Sequence, residues 1–200
     1  MPTMSRFEQA FCRSGPWGAF TRRVVLPWAL QGLRPRGELL EIGAGSGAMA
    51  AELLAACPDV QMTVTDYDEA MVAAARRLLA PAGERATLRR ADATALPFAD
   101  GRFDAVLSVL MLHHVVEWEQ ALTEAVRVLR PGGRIVVADL LANAPLRLLH
   151  QAEGADFRLL TLQQLRSALT LLPLDEVTVR RGVARFTVRF TARKQPSRAG

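Results

Sequence analysis

Cysteine is scarce in this chain and badly placed for its usual structural uses. Cys12 and Cys57 are the only two, and neither has companions at metal-ligand spacing. Both a disulfide framework and a metal centre are therefore disfavoured, and a reducing, cytoplasmic setting is expected. Long apolar runs are missing too. The stretch from Ala105 to Leu112 falls well short of the roughly 20 residues that cross a bilayer. Arg6 and Arg13 near the start are not followed by the apolar segment and small-residue cleavage site of a secretory signal. No repeat or linker interrupts the 200 residues, enough for one full core and too few for two domains of ordinary size. At 50% hydrophobic and 22% charged, the composition is globular.

A formal net charge of +5, carried mainly by arginine, raises nucleic acid and anionic membrane as partners. Arg180, Arg181, Arg185, Arg189, Arg193 and Lys194 fall on or near the polar face of a terminal hairpin pattern, where they read first as a solvated edge that discourages strand pairing. That face has no interleaved aromatics to stack bases, so nucleic acid is the weaker partner. Arg22 and Arg23 lie in a helical segment, 4–33, that holds Phe7, Phe11, Trp17, Phe20, Val24, Val25 and Trp28. Gly15-Pro16 marks a helix start within it, and Pro27 is expected to kink or end that helix. The segment either docks on the domain or serves as a lid or pocket wall, with lipid contact open.

From residue 38 onward strands and helices alternate. Strands are expected at 38–42, 60–65, 86–90, 103–109 and 134–139, the first four each closed by a turn or a carboxylate. Helices run from about 47 to Pro58, from Asp68 as cap to Leu79, and through Trp118, Leu122, Ala125 and Leu129 until Arg130-Pro131-Gly132-Gly133 stops the last. Thr161-x-x-Gln164 is a capping-box signature for another helix. Val177-x-Val179 and Phe186-x-Val188-x-Phe190 then alternate as a β-hairpin. The fold class expected is α/β: a doubly wound, mostly parallel seven-stranded sheet with a C-terminal β-hairpin. Residues 1–37 form the N-terminal helices, 38–193 the main domain and 194–200 a disordered tail.

The chemistry concentrates at Glu41-Ile42-Gly43-Ala44-Gly45-Ser46-Gly47, a strand, a glycine turn and a helix start. Such a turn lets a ligand approach the backbone and leaves N–H groups free at the helix N-terminus. Gly43-x-Gly45-x-x-Ala48 also fits the loose dinucleotide fingerprint. In a parallel sheet, ligands bind beyond the carboxyl ends of the strands. In this sequence those ends carry Glu41, Asp66, Asp92 and Asp139. A pyrophosphate would be repelled by Glu41; a cation bearing hydroxyls would not.

With these motifs in place, the chain resembles a class I S-adenosylmethionine-dependent methyltransferase, similar to the compact ubiquinone/menaquinone-biosynthesis-type group, over roughly 38–193. The resemblance rests on the glycine turn, on Asp66-Tyr67-Asp68, on Ala91-Asp92-Ala93, on Phe103-Asp104-Ala105-Val106 with Leu112-His113-His114-Val115, and on Arg127-Val128-Leu129-Arg130-Pro131-Gly132-Gly133, in order. It implies a Rossmann-like methyltransferase fold with S-adenosylmethionine as cofactor and S-adenosylhomocysteine as product. Gly43, Ala44, Gly45 and Gly47 would line the methionine end, with Glu41 holding the turn or reaching the ammonium through water. Asp66 would bind the ribose hydroxyls, Tyr67 would lie against the adenine, and Asp92 with the Ala93 N–H would meet the adenine edge. Ser108 would sit at the cofactor's side of the fourth strand. Asp92 as a mere turn residue and Tyr67 as a surface residue stay open.

Methyl transfer asks mainly for geometry, and for a base only where the nucleophile must lose a proton. His113 and His114 are the candidates, with Asp139 behind them. Ser108-Val109-Leu110-Met111 stands where amino-group nucleic-acid methyltransferases carry an Asn/Asp-Pro-Pro-Tyr segment. Neither a Pro-Cys nucleophile nor an acidic cluster for magnesium follows that strand. What is left is a metal-independent transfer to a small, rather apolar organic acceptor by direct in-line displacement. A non-catalytic S-adenosylmethionine-binding module and an NAD-dependent oxidoreductase are the rival readings.

Overall fold

The structure, a computed structural model, describes residues 14–31, 33–142, 160–182 and 186–196. The Phe7 and Phe11 spacing, most of the 140–160 segment, Arg185 and the end of the tail lie outside the described residues. The sheet has seven strands: β1 (Gly37–Ile42), β2 (Val60–Asp66), β3 (Ala86–Arg90), β4 (Phe103–Val109), β5 (Leu129–Leu140), β6 (Leu174–Arg181) and β7 (Thr187–Lys194). Their order is β3-β2-β1-β4-β5-β7-β6. The first five pair in parallel, and β7 inserts antiparallel between β5 and β6. The strand order reverses between β1 and β4, which makes the crevice beyond their carboxyl ends the place for a ligand.

Alternation along each strand divides the core between two faces. Leu39, Leu107, Val136 and Ala138 join the cluster under α3 (Ala48–Ala56) and α4 (Glu69–Leu79). Leu40, Ile42, Val106, Ile135 and Val137 join the larger cluster under α5 (Trp118–Val128) and α6 (Leu162–Thr170). The caps read from sequence are present. Asp68 Oδ1 accepts from Ala70 N at 2.8 Å, and Thr161 with Gln164 closes a complete capping box.

Two expectations about backbone shape change. Pro27 does not end the N-terminal helix: α1 (Gly15–Phe20) passes through a π turn at Thr21–Val25 into α2 (Leu26–Leu30), where Leu26 N–H donates to Thr21 O. One wide turn ahead of the proline accommodates the ring and the missing donor without breaking the axis. Likewise Pro131-Gly132-Gly133 does not precede β5 but lies inside it, as an irregularity opposite Phe103–Ala105. A Cβ on Gly133 would come within 2.9 Å of Arg130 O and 3.0 Å of Asp104 O, so only a glycine lets the strand turn there.

The loop from 91 to 102 is tied to α5 by one ion-paired knot. Glu124 accepts from Leu96 N at 2.8 Å and from Arg127 Nε at 2.7 Å. Arg127 donates in turn to Phe98 O, Asp100 and Leu96 O. The bond from Arg127 holds the Glu124 carboxyl below its ordinary value of 4.5. Its contribution to stability is therefore present above about that pH and is lost as pH falls through the lowered value. Glu124→Gln keeps an acceptor for Leu96 but loses the charge, and is expected to cost about 1–2 kcal/mol at neutral pH. Urea denaturation should show the gap narrowing in acid, and an equal gap at both pH values would rule out the ion pair as its source.

Candidate functional site

Alternation also places the first acidic group. Glu41 lies two residues after Leu39, on the same side of β1, and so points under the start of α3. It is 3% exposed, Oε2 has no hydrogen-bond partner, and only the Ala50 N–H relieves its charge. Burial, with Asp66 adding repulsion, pushes its carboxyl up to about 8. Glu41 is thus mostly protonated at neutral pH unless a positive charge arrives beside it.

The glycine turn is held in place by Asp66. Its Oδ2 accepts from Gly45 N at 2.8 Å and its Oδ1 from Asp68 N at 2.9 Å. Burial nonetheless raises its pKa. Gly43 and Gly45 adopt φ values of 67° and 55°, open to glycine at little cost. Their surroundings differ: a Cβ on Gly43 would fall 1.9 Å from Met111 Cγ, whereas one on Gly45 would meet nothing within 4 Å. The first glycine is needed for packing, and the second leaves room above the turn.

An open cavity lies over this turn, with about 900 Å³ of empty space when the part open to solvent is counted. Glu41, Gly43, Ala44, Gly45, Asp66 and Tyr67 line it, as expected from sequence. Gly47, Asp92, Ala93 and Ser108 are not among the lining residues. Gly47 caps α3 in the left-handed conformation. Asp92 Oδ1 accepts from both the N–H and the hydroxyl of Thr94 at 2.8 and 2.7 Å, a turn closure. Ser108 is buried next to the lining residue Val109, its Oγ without a partner. Arg90 sits over the Tyr67 ring at 5.4 Å and donates to Tyr67 O, which fixes one side of that ring.

The two histidines separate. His113 is buried, its Nδ1 hydrogen-bonded to Asp139 Oδ1 at 2.6 Å, while His114 lines the cavity. The rings lie 4.0 Å apart. Asp139 also accepts from Met111 N and Leu112 N at 3.0 and 2.6 Å. Burial pushes its carboxyl up, but the charge and hydrogen bond of His113, with the Leu140 and Leu112 N–H groups, outweigh burial and leave it below the ordinary value. Asp139 and His113 therefore anchor the segment that carries His114, and neither reaches the cavity.

Several lining residues carry no mark in the sequence. Leu110 bends the chain out of β4 at φ 53°, with its N–H on Ala138 O at 2.8 Å. A left-handed non-glycine residue costs on the order of 1 kcal/mol or more; here it seats Met111 over Gly43. Nothing in the letters Val-Leu-Met announces that bend. Trp17, Thr21 and Val25 form one wall from the N-terminal helix. Trp17 and Val25 belong to the segment read in sequence as docking, lid or pocket wall; Thr21 carried no mark, and its buried Oγ1 has no partner among the described residues. Asp68, read as a cap, lines the cavity as well. Taken together, among the described residues three carboxylates and no lysine or arginine face the space. That donor set, with an unpartnered buried carboxyl oxygen in it, fits a ligand carrying positive charge and hydroxyls.

Residues 40–137 match the family model described as a methyltransferase domain. The chain is 40% identical over 124 residues to a demethylmenaquinone methyltransferase of Clavibacter sepedonicus, covering 62% of this chain and 46% of that protein. It is 38% identical over 124 residues to the 27-O-demethylrifamycin SV methyltransferase of Amycolatopsis mediterranei, covering 60% and 45%. The chain thus spans about half the length of these curated relatives. A solved structure from Pyrococcus horikoshii superposes with a TM-score of 0.79 at 16% identity, over 96% of this chain and all of that one, a likeness of fold. Residues 40–137 are thereby matched to a methyltransferase domain, and the chain is related to class I S-adenosylmethionine-dependent methyltransferases, distantly to the demethylmenaquinone methyltransferases.

Proposed function

We propose that the chain transfers a methyl group from S-adenosylmethionine to a small, rather apolar organic acceptor by direct in-line displacement. The observation that carries this reading is Glu41, a buried carboxyl beside Asp66 whose Oε2 has no partner among the described residues, in a cavity that no described lysine or arginine lines. When bound, S-adenosylmethionine supplies a methyl group already activated on a sulfonium. Glu41 and the Gly43–Gly45 backbone hold its methionine end, Asp66 accepts from the ribose hydroxyls, and Tyr67 offers the adenine the ring face opposite Arg90. Asp92, Ala93, Gly47 and Ser108 support these contacts from behind the lining. Trp17, Thr21 and Val25 exclude water as the wall or lid. The acceptor enters between that helix and the His114 segment, where Val25, Val109, Leu110 and Met111 make the lining apolar. His114 is the group placed to take a proton when the nucleophile carries one; His113 and Asp139 position it. The relatives named for a menaquinone precursor and a rifamycin support a small organic acceptor. Mass spectrometry of small molecules that co-purify with the protein tests cofactor and acceptor together.

Asp66→Ala is expected to weaken S-adenosylmethionine binding by roughly tenfold or more, the loss of one charged hydrogen bond. Unchanged affinity in a calorimetric titration would refute the ribose assignment. Binding of NAD instead would refute the methyl-donor reading altogether.

Glu41 makes the binding pH-dependent. Its carboxyl must ionise to meet the ligand's charge, so affinity should rise as pH approaches about 8 and then level off. At neutral pH, titrations in buffers of different ionisation enthalpy should report a proton released on binding, and Glu41→Gln should abolish the release. The sign for the ligand-free protein is opposite. A carboxyl raised above its unfolded value of 4.5 makes folding less favourable as pH climbs from there to about 8. Glu41→Gln should therefore melt higher than the parent in alkaline buffer while binding the cofactor less well.

His114→Ala should lower turnover with an acceptor that must lose a proton by about a hundredfold and leave cofactor affinity intact. His113→Ala should act through position, its loss partly restored by His113→Asn, whose amide nitrogen can replace Nδ1 on Asp139. Full activity in His114→Ala would remove histidine as the base.

A further inference from the structure

The acidic residues of this chain are segregated. Of its 20 aspartates and glutamates, Glu8 alone lies outside 38–176. The N-terminal helix and the residues after it, from 14 to 37, hold Arg22, Arg23, Arg34 and Arg36 with no acid. The C-terminal stretch from 177 onward holds six arginines and Lys194 with none. The fold brings the two acid-free stretches together. Arg189 on β7 is buried and donates through Nε to Ala29 O at 2.6 Å and through a terminal nitrogen to Leu30 O. The Trp28 ring packs so closely on Gly182 that a Cβ there would come within 2.7 Å of it. Nearby Arg180 adds its repulsion to the burial that lowers the Arg189 pKa. The result is one basic face, built from distant parts of the chain.

That face is also apolar at its surface. Phe20 and Val24, four residues apart and so on one side of the helix, are each 47% exposed, as is Phe186 at the hairpin end beside Thr187. Arg23 between them is exposed. Their neighbours one position on, Thr21 and Val25, point the other way and line the cavity. A single helix therefore presents aromatic and aliphatic side chains flanked by arginine outward, and the wall of the site inward. Arg22 is paired with Glu52 at 3.3 Å and Arg193 with Glu176 at 3.5 Å, but exposed phenylalanine and valine next to the exposed Arg23 and Arg180 is the composition of an interfacial helix on anionic lipid, whose binding combines buried apolar area with electrostatic attraction. It is a poor match to nucleic acid, which calls for a charged groove with stacking platforms.

We propose that this face, centred on Phe20, Arg23 and Val24 with Phe186 and Arg180 at its rim, docks the protein on an anionic membrane surface. The mouth of the cavity then opens toward the acyl layer, and an apolar acceptor passes under the N-terminal helix without crossing water. Only this last step rests on the methyltransferase reading; the docking stands or falls by itself.

Sedimentation with vesicles of phosphatidylglycerol mixed with phosphatidylcholine tests it, against phosphatidylcholine alone and against duplex DNA. The full chain should sediment with the mixed vesicles, lose much of that binding at high salt, and bind phosphatidylcholine at least tenfold less. Arg23→Glu should weaken partition about tenfold or more, as should Phe20→Ser with Val24→Ser, and none of these variants should change S-adenosylmethionine affinity by calorimetry. Failure to sediment with mixed vesicles, equal binding to both lipids, preference for DNA, or full binding by the variants would each overturn the proposal. Normal cofactor affinity in those cases would leave the methyl-donor site untouched. Because Phe20, Arg23 and Val24 are exposed, the variants should keep the parent's melting temperature. An Arg180→Glu variant, on a separate element, gives a second reading should one of the helix variants misfold.

Discussion

The site depends on one constraint: a carboxyl group must be kept in a place that does not want its charge. Glu41 is the last but one residue of the first strand, on the face covered by α3, where alternation along the strand leaves it almost wholly buried. The Ala50 N–H is the single backbone donor that eases it, and Asp66 works against it. A buried carboxyl with no counter-ion costs several kcal/mol if ionised and takes a proton instead. The fold tolerates this because the same arrangement is relieved when positive charge enters the cavity. On the proposed reading, stability given up in the ligand-free protein is regained when a cationic ligand completes the electrostatics of the site, which an anion at the glycine turn would not do.

Asp66 links that constraint to the backbone. By accepting from Gly45 and Asp68 it fixes the glycine turn against the end of β2, while Ala44 N–H donates to Thr65 O at 2.9 Å. Met111, delivered by the left-handed Leu110, closes the turn from the side of β4. Three strand ends therefore meet at one glycine loop, and the reversal of strand order between β1 and β4 is what opens space above it.

Much of this was legible in the sequence because it follows from local rules. Apolar or β-branched runs with a carboxylate at the end marked β1 to β3, a run buried on both sides marked β4, and caps at Asp68 and Thr161 marked helix starts, since each depends on a few neighbouring residues. Glu41, Asp66 and the glycines stood out as candidates by the same local rules, and Tyr67 through the family resemblance. What escaped was set by tertiary packing. The sequence alone could not separate His113 from His114, because the difference is a hydrogen bond to Asp139 across 26 residues. The positive φ of Leu110 belongs to an unremarkable run of letters, and the π turn that carries the helix through Pro27 is a response to a proline that local rules expect to break it. Asp92 satisfies both a turn reading and a site reading in sequence, and its bonds to Thr94 show the turn at least.

The distribution of charge reconciles a basic protein with an acidic site. Summed over the chain the charge is +5, yet among the described residues the cavity is lined by Glu41, Asp66 and Asp68 without lysine or arginine. At physiological ionic strength charges act independently beyond about 8 Å, so the potential inside the cavity is set by its lining and not by the net charge. The arginines are free to serve elsewhere: Arg127 ties the 91–102 loop to α5, Arg189 fastens the N-terminal helix to β7, and Arg180 and Arg181 stay at the exposed hairpin end. Arg189 matters most in this division, because it joins the wall of the cavity to the basic outer face through one buried side chain. A change there would loosen both at once. The positive surface and the negative cavity are thus two sides of the same helix, which the Arg189 guanidinium ties to β7, next to the edge strand of the sheet.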